Sequence, residues 1–161
     1  MSRRKINILF VEDNDVFSEM LSLMLLSLPT LDPSIQVTRS LADTIRSIQS
    51  NDYDVILLDY FLPDARGPQS IQSIRSESPQ TPIVVLTGLD DYKAAIHSIK
   101  AGADDYLVKG KFNIDQLGHT IHHSIERHQH RHSLEDQNKA LKNLILLEQD
   151  EDGLDLNSHI W

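Results

Sequence analysis

Four short apolar runs in this chain each end at a charged or hydroxyl-bearing residue, and segments with helical periodicity separate the runs. The residues that follow the runs are Glu12-Asp13, Asp59, Thr87 and Lys109. Alternation of strands and helices predicts right-handed crossovers and a parallel sheet that helices cover on both faces. Because the carboxyl ends of parallel strands open onto one edge of a sheet, we expect these residues to converge there.

The predicted elements alternate strictly along the chain. Strands are predicted at 5–11, 35–38, 54–58, 82–86 and 104–108, and helices at 15–28, 41–50, 67–77, 90–101 and from 113 onwards. The unbroken apolar runs of the third and fourth strands are typical of central strands, whereas alternation in the second is typical of a half-exposed edge strand. We therefore predict a flavodoxin-like, doubly wound α/β fold. Its five-stranded parallel sheet has the order 2-1-3-4-5, with helices on both faces and an extended C-terminal helix.

Local signals refine these boundaries. Apolar residues at helical spacing predict one buried face of the first helix, made of Phe17, Met20, Leu21, Met24 and Leu28. We expect Asp15 to be a helix cap or a turn former, and Pro29 and Pro33 to break the chain after this helix. Gly67-Pro68 is typical of a helix start and Gly102 of a helix end.

Composition limits the classes of protein. The 161 residues accommodate one domain, predicted at 1–130, and a further segment at 131–161. Fifteen basic against 24 acidic residues give a net charge of −9, which argues against nucleic-acid binding. The absence of cysteine suits a reducing cytoplasm, and the apolar runs are too short for membrane insertion. We expect a soluble cytoplasmic protein.

The residues at the predicted sheet edge suggest phosphoryl chemistry. Glu12, Asp13 and Asp59 would place three mutually repelling carboxylates together. A hard divalent cation relieves such repulsion, and oxygen ligands favour Mg²⁺, with Mn²⁺ as an alternative. A carboxylate can attack phosphorus, while the Thr87 hydroxyl and the Lys109 ammonium can bind phosphoryl oxygens.

These motifs, in this order and at these separations, resemble the receiver domain of two-component response regulators. The resemblance covers roughly residues 5–128. It rests on Glu12-Asp13, Asp59-Tyr60-Phe61-Leu62-Pro63 with Gly67, Thr87-Gly88, and the segment 101–109 that reads AGADDYLVK. The resemblance implies a phosphorylation-switched signalling module rather than an enzyme. Such a module catalyses at most its own phosphorylation and slow autodephosphorylation.

The resemblance also implies roles for individual residues. Asp59 would be the phosphoacceptor and Asp13 a direct ligand of Mg²⁺. Glu12 would hold the metal through water, and the Phe61 carbonyl would complete the protein ligands. Thr87 and Lys109 would bind the phosphoryl oxygens, and Tyr106 would turn inward as a switch when Thr87 moves toward the phosphate.

The implied partners are a sensor histidine kinase or phosphotransfer protein and a downstream protein effector. The effector would bind a face of the fourth helix, last strand and final helix that includes Tyr92, Ile96, Lys100 and Tyr106. A homodimer through the last helix or through the 92–106 face stays open, and neither the kinase nor the output can be identified from the sequence.

The chain departs from the family pattern at three places. Glu12-Asp13 replaces a frequent pair of aspartates, and Gly110 follows the lysine where most relatives have a proline after a cis bond. The isomer of the Lys109–Gly110 bond therefore stays open. Phe61 and Leu89 occupy the positions that tune hydrolysis, and neither side chain can orient a water molecule. This predicts a long-lived phosphoryl group.

Two other functional classes compete with a receiver domain. A phosphohydrolase with an aspartyl nucleophile usually has a second acid two residues beyond it, where this chain has Phe61. A flavodoxin-like cofactor carrier would need a phosphate-binding turn after the first strand, where Glu12-Asp13-Asn14-Asp15 would repel phosphate.

The C-terminal segment supports several interpretations. An apolar helical face of about two loose heptads is formed by Leu134, Leu141, Leu144, Ile145 and Leu147, so a docked or dimerising helix and a frayed linker all stay open. The acidic run at 149–155 predicts a disordered end. Six of the eight histidines lie within 119–132, and the pairs His119/His123 and His128/His132 could each share a metal ion. An exposed polar helix is the favoured interpretation of this cluster.

Overall fold

The computed structural model describes residues 2–88 and 91–158, with side chains described through 149. The chain comprises two units, Met1–His128 and Gln129–Trp161. The boundary between the two units lies close to the predicted domain limit at residue 130. The assignment of 131–161 as a helical extension with a disordered end stays a prediction.

The first unit contains a five-stranded parallel sheet with the order β2-β1-β3-β4-β5. Its strands are β1 (Arg4–Val11), β2 (Leu31–Thr38), β3 (Val55–Asp59), β4 (Ile83–Thr87) and β5 (Asp105–Val108). The helices are α1 (Asp15–Leu26), α2 (Leu41–Ser50), α3 (Gly67–Glu77), α4 (Tyr92–Lys100) and α5 (Ile114–Ser158), the last of which continues into the second unit. The predicted fold class and strand order are confirmed.

Two apolar clusters cover the two faces of the sheet. One contains Phe10, Leu57 and Leu86 and packs against α1 and α5, while the other contains Leu9 and Ile56 and packs against α2, α3 and α4. Every residue of β3 and β4 is buried, which confirms that the unbroken apolar runs are central strands. Successive residues of these strands supply opposite faces, so each run serves both clusters.

The second strand is longer than predicted. β2 begins at Leu31, four residues before the predicted start, and includes Pro33, which pairs with Ile6. Pro33 does not break the chain because β2 is an edge strand, where one side of the backbone needs no partner in the sheet.

The first helix differs from expectation in its cap and its buried face. Asn14, not Asp15, is the N-cap, and its side chain accepts a hydrogen bond from the Phe17 amide at 3.0 Å. Met20 is 47% exposed, so its predicted burial is wrong, and Leu25 is buried instead. Leu21 and Leu25 share the inward face because residues four apart align on a helix, and Leu28, just beyond the end of α1, is buried as well.

A buried polar network lies where β4 and β5 begin. The Asp104 carboxylate accepts hydrogen bonds from the Ile83 amide and from Arg75, both at 2.8 Å. Nδ1 of His128 lies 2.9 Å from the other Asp104 oxygen, and its Nε2 lies 3.1 Å from the Pro79 carbonyl. The expectation of an exposed histidine cluster is therefore wrong for His128, which is buried because this network partners both ring nitrogens.

The other histidines of α5 are exposed except His132, which is half-buried, and the His119 and His123 rings stack with centroids 5.5 Å apart. In the second unit, every side chain from 133 to 149 is exposed. Within the part of the chain that the structure describes, no helix combines the length and the apolar character needed to cross a bilayer.

Candidate functional site

The candidate site lies at the carboxyl ends of the strands, as predicted. Backbone hydrogen bonds place the residues that follow the strands: the Glu12 amide donates to Thr38, the Tyr60 amide to Leu86, and the Lys109 amide to Thr87, at 2.8 to 3.0 Å. These bonds continue the parallel ladder beyond the strands. They bring the loops after β1, β3 and β5 to one edge of the sheet.

Three carboxylates meet at this edge. Glu12, Asp13 and Asp59 each offer an oxygen, and these oxygens lie within 4.8 Å of one another. Glu12 and Asp59 are buried, whereas Asp13 is exposed to solvent. An all-oxygen donor set, partly buried and open on one side, fits a hard divalent cation that keeps some of its water ligands. The predicted acidic cluster is therefore present, and its residues fit Mg²⁺.

Lys109 bridges two of these acids. Its Nζ lies 2.8 Å from Glu12 Oε2 and 3.3 Å from Asp59 Oδ2. The same ammonium lies 4.4 Å from the centroid of the Phe17 ring. Lys109 thus lies between two buried carboxylates, one of which is Asp59.

The pKa of Glu12 is raised from 4.5 to about 7. Burial is the main cause, and the negative charge of Asp59 adds to it. Hydrogen bonds from Lys109 and from the Asn14 amide act in the opposite direction without cancelling the rise. The site therefore holds more negative charge than its burial tolerates, which is a condition that a bound cation relieves.

Phe61 follows the candidate phosphoacceptor. Its amide donates to Asp59 Oδ1 at 3.3 Å, and its ring is 48% exposed. The Phe61 ring packs edge-to-face with Tyr60 and lies 5.8 Å from the Arg66 guanidinium. The role of its carbonyl as a metal ligand stays a prediction.

Thr87 and Tyr106 are the two predicted switch residues. Thr87 is fully buried, and its hydroxyl donates to the Leu107 carbonyl at 3.4 Å, a long hydrogen bond. The Tyr106 side chain is 38% exposed. The role of the two residues as a switch stays a prediction. Leu89, the second predicted tuner of hydrolysis, lies outside the described residues.

The loop after Lys109 takes its shape from glycine. Gly110 has a φ of +80°, in the left-handed region where glycine is favoured. Within the described residues no peptide bond is cis, so the Lys109–Gly110 bond is trans. A proline could not adopt this φ. The backbone conformation therefore agrees with the presence of Gly110 where most relatives have a proline.

Two side chains, Asp64 and Arg39, support the site through contacts that were not predicted. Asp64, in the loop after β3, accepts hydrogen bonds from the Leu41 and Ala42 amides at 2.9 and 3.0 Å. Burial alone would raise the pKa of Asp64, but these two bonds and one from its own amide lower it. Arg39 donates to the Asp13 carbonyl at 3.1 Å and pairs with Asp15. Such long-range pairs leave no periodic signal in a sequence.

Comparison with known proteins identifies the class. The model of the response regulator receiver domain family matches residues 8–122. The chain belongs to this family, and it is therefore a receiver module of two-component signalling.

Individual relatives agree with this assignment. The chain is 32% identical over 120 residues to the cell cycle response regulator CtrA of Brucella ovis, which covers 74% of this chain and 50% of that protein. The chain thus spans about half the length of the curated relatives that it matches.

Solved structures are similar as well. The receiver domain of a sensor histidine kinase from Pseudomonas aeruginosa PAO1 is 29% identical, with a TM-score of 0.67, and the match covers 76% of this chain and 98% of that domain. That domain has a magnesium ion coordinated in its active-site cleft. A response regulator structure from Chloroflexus aurantiacus J-10-fl is 27% identical, with a TM-score of 0.70, and covers 76% of this chain and 99% of that one.

Proposed function

We propose that this chain is a phosphorylation-switched module of a phosphorelay in which Asp59 accepts a phosphoryl group from a sensor histidine kinase or phosphotransfer protein. The observation that carries this proposal is the position of Asp59, buried between two further acids and the Lys109 ammonium. In the transfer, an Asp59 oxygen forms a bond to phosphorus while the bond between phosphorus and the donor imidazole breaks. The imidazole nitrogen keeps the electron pair and takes up a proton.

Each neighbour of Asp59 has a role in this step. Glu12, Asp13, Asp59 and the Phe61 carbonyl would hold Mg²⁺, or Mn²⁺, with Glu12 acting through water. When bound, the cation neutralises charge on the transferring group. Lys109 is already beside Asp59 and can pair with a phosphoryl oxygen, and Thr87 can donate its hydroxyl to another.

Phosphorylation by a small donor tests this proposal. Purified protein is incubated with acetyl phosphate and Mg²⁺, and intact mass spectrometry then follows the addition of one phosphoryl group. We expect wild type to carry one phosphoryl group and Asp59→Asn to carry none. Asp54→Asn is the matched control, because Asp54 contacts the Asn7 amide outside the site. Unchanged labelling of Asp59→Asn would refute the assignment of the phosphoacceptor.

A response to phosphorylation would reach the surface through Thr87 and Tyr106. Drawing the Thr87 hydroxyl toward the phosphoryl group would free space near β5, into which the half-exposed Tyr106 ring could turn. The effector face would then change at Tyr106 and at the exposed α4 residues Tyr92 and Lys100. Amide NMR spectra with and without beryllofluoride and Mg²⁺ test this relay. The spectra of wild type should change across α4 and β5, and those of Thr87→Ala should change much less.

The second unit offers a surface for a homodimer. If Asn138 and Ile145 are assigned to a positions, Leu134, Leu141 and Glu148 occupy d positions, and all five side chains are exposed. Leucine at d, isoleucine at a and one asparagine at a are typical of parallel two-stranded coiled coils. Sedimentation of wild type, Leu141→Ser and Leu147→Ser tests this interface, because Leu147 lies off the seam. Loss of the dimer in Leu141→Ser but not in Leu147→Ser would support an interface through the last helix. A dimer that both variants keep would favour an interface through the 92–106 face.

Neither alternative class has a supporting observation. A phosphohydrolase would need an acid where Phe61 stands, and a flavodoxin-like carrier would need a phosphate-binding turn where the acidic cluster stands. The module would therefore catalyse no more than its own phosphorylation and dephosphorylation. Its cytoplasmic location and its lack of nucleic-acid binding stay predictions from composition.

A further inference from the structure

The ammonium of Lys109 has a third neighbour besides its two carboxylates. The Phe17 ring centroid lies 4.4 Å from Lys109 Nζ, well inside the range of about 6 Å in which a cation is attracted to an aromatic face. Phe17 is the third residue of α1, whereas Lys109 follows β5. The contact therefore joins two elements that are distant in the sequence.

The core and the helix cap fix the position of the ring. Phe17 packs edge-to-face against Phe10, with centroids 6.3 Å apart and planes at 64°, and Phe10 is fully buried in β1. The Phe17 amide also donates to the Asn14 cap, which sets the first turn of α1. The ring is thus a rigid surface, whereas a lysine side chain is a flexible chain of four methylenes.

This surface differs from the other partners of Lys109 in one respect. A bound cation would neutralise charge on Glu12, and phosphorylation would replace the Asp59 carboxylate with a phosphoryl group, so both carboxylate contacts of Lys109 would change when the site is loaded. The Phe17 contact depends on neither group.

We propose that Phe17 is a positioning residue that keeps the Lys109 ammonium beside Asp59 through a cation–π contact while the charges around it change. This inference rests on the proposed function, since it assigns Phe17 a part in phosphorylation of Asp59. The ring touches neither the donor nor phosphorus and acts only through Lys109.

The test compares substitutions that keep the aromatic face with substitutions that remove it. Rates of phosphorylation by acetyl phosphate at saturating Mg²⁺ are measured for wild type and for Phe17→Tyr, Phe17→Leu and Phe17→Met. We expect about a fivefold slower rate for Leu and Met, the size of one partly buried cation–π contact, and a rate within about twofold of wild type for Tyr. Phe112→Leu is the matched control, because Phe112 is half-buried against the same core cluster.

A spectroscopic measurement reports the contact without reference to activity. Protons held over an aromatic face are shielded by its ring current, so the Lys109 ε-methylene signals of wild type should lie upfield of those of exposed lysines such as Lys93. The shift should persist in Phe17→Tyr and vanish in Phe17→Met. It should also persist when beryllofluoride and Mg²⁺ are bound, which is the state that the proposal concerns.

The outcomes separate this inference from the proposed function. Wild type that accepts no phosphoryl group would refute the proposed function. Normal phosphorylation of wild type with equal rates for Phe17→Leu, Phe17→Met and wild type would overturn the inference alone, and so would equal slowing of Phe17→Leu and Phe112→Leu. If the Leu and Met variants fail to fold, the chemical shift of the Lys109 ε-methylene protons in wild type provides the test. A shift equal to that of exposed lysines, with beryllofluoride and Mg²⁺ bound, would overturn the inference.

Discussion

Binding of Mg²⁺ to the acidic cluster should displace a proton from Glu12. Burial and the charge of Asp59 raise the pKa of this side chain to about 7, so that near neutrality a large share of the protein carries a protonated Glu12. A cation held by carboxylates requires them in the ionised form. We therefore expect the apparent affinity for Mg²⁺ to rise with pH through neutrality, unlike that of a site made of ordinary exposed carboxylates.

The size of the effect follows from the pKa. With a value of about 7, about a tenth of Glu12 is ionised at pH 6 and about nine tenths at pH 8. The apparent affinity should therefore be about ninefold higher at pH 8 than at pH 6. The number of protons released per bound Mg²⁺ should fall from about 0.9 to about 0.1 between these pH values.

Isothermal titration calorimetry measures both quantities. Titrations at pH 6, 7 and 8, each in two buffers with different ionisation enthalpies, yield the affinity and the number of protons exchanged. Glu12→Gln is the control, because it keeps the size of the side chain and removes the titrating group. It should bind Mg²⁺ more weakly, with a nearly flat pH dependence and little proton release.

The same proton has a second consequence for the metal-free protein. The folded state holds the Glu12 proton up to a pH of about 7, whereas the unfolded chain releases it near 4.5. Because the folded state binds more protons in this window, the free energy of unfolding should decline as pH rises through it, by an amount on the order of 3 kcal/mol. Glu12→Gln should lack this decline. Equal Mg²⁺ affinities at pH 6 and pH 8, without proton release, would refute the reasoning on Glu12.

Three further predictions concern stability and the lifetime of the phosphoryl group. Gly67→Ala should lower the free energy of unfolding by about 1–3 kcal/mol, because its Cβ would lie 2.0 Å from the Tyr60 ring, and chemical denaturation that matches wild type would contradict this. Asp104→Ala should cost about 3 kcal/mol or more by leaving buried donors without an acceptor, and a thermal melt equal to that of wild type would exclude such a role. Phe61→Asn combined with Leu89→Glu should shorten the life of the phosphorylated protein, and loss of label from wild type within seconds would contradict the predicted slow hydrolysis.

The fold was predictable because hydrophobic pattern and topology reinforce each other. The unbroken runs of β3 and β4 can be satisfied only by burial on both faces, and strict alternation with helices leaves few topologies. The ends of those runs then bring Glu12, Asp59 and Lys109 to one edge without any knowledge of side-chain contacts. The position of the candidate site is thus a consequence of topology, which a sequence reveals well.

What the sequence did not reveal depends on three-dimensional neighbours. Met20 and Leu25 lie at comparable positions on an apolar helix, and only the orientation of α1 decides which of them is buried. Pro33 looked like a breaker because its tolerance depends on β2 being at the edge over its whole length. The burial of His128 depends on the Asp104 acceptor, which comes from another element and has no periodic signature.

The electrostatic state of the site links these observations to function. Lys109 is close enough to hydrogen-bond with Glu12 and somewhat further from Asp59, so without a cation it mainly compensates the more deeply buried acid. A cation that neutralises Glu12 would remove this competition and leave the ammonium available to Asp59 and to an incoming phosphoryl oxygen. Metal binding and the readiness of Lys109 are then coupled through one carboxylate. For this reason we expect two effects of Glu12→Gln. The rate of phosphorylation should depend less on the Mg²⁺ concentration, and this change should be larger than the drop in rate at saturating Mg²⁺.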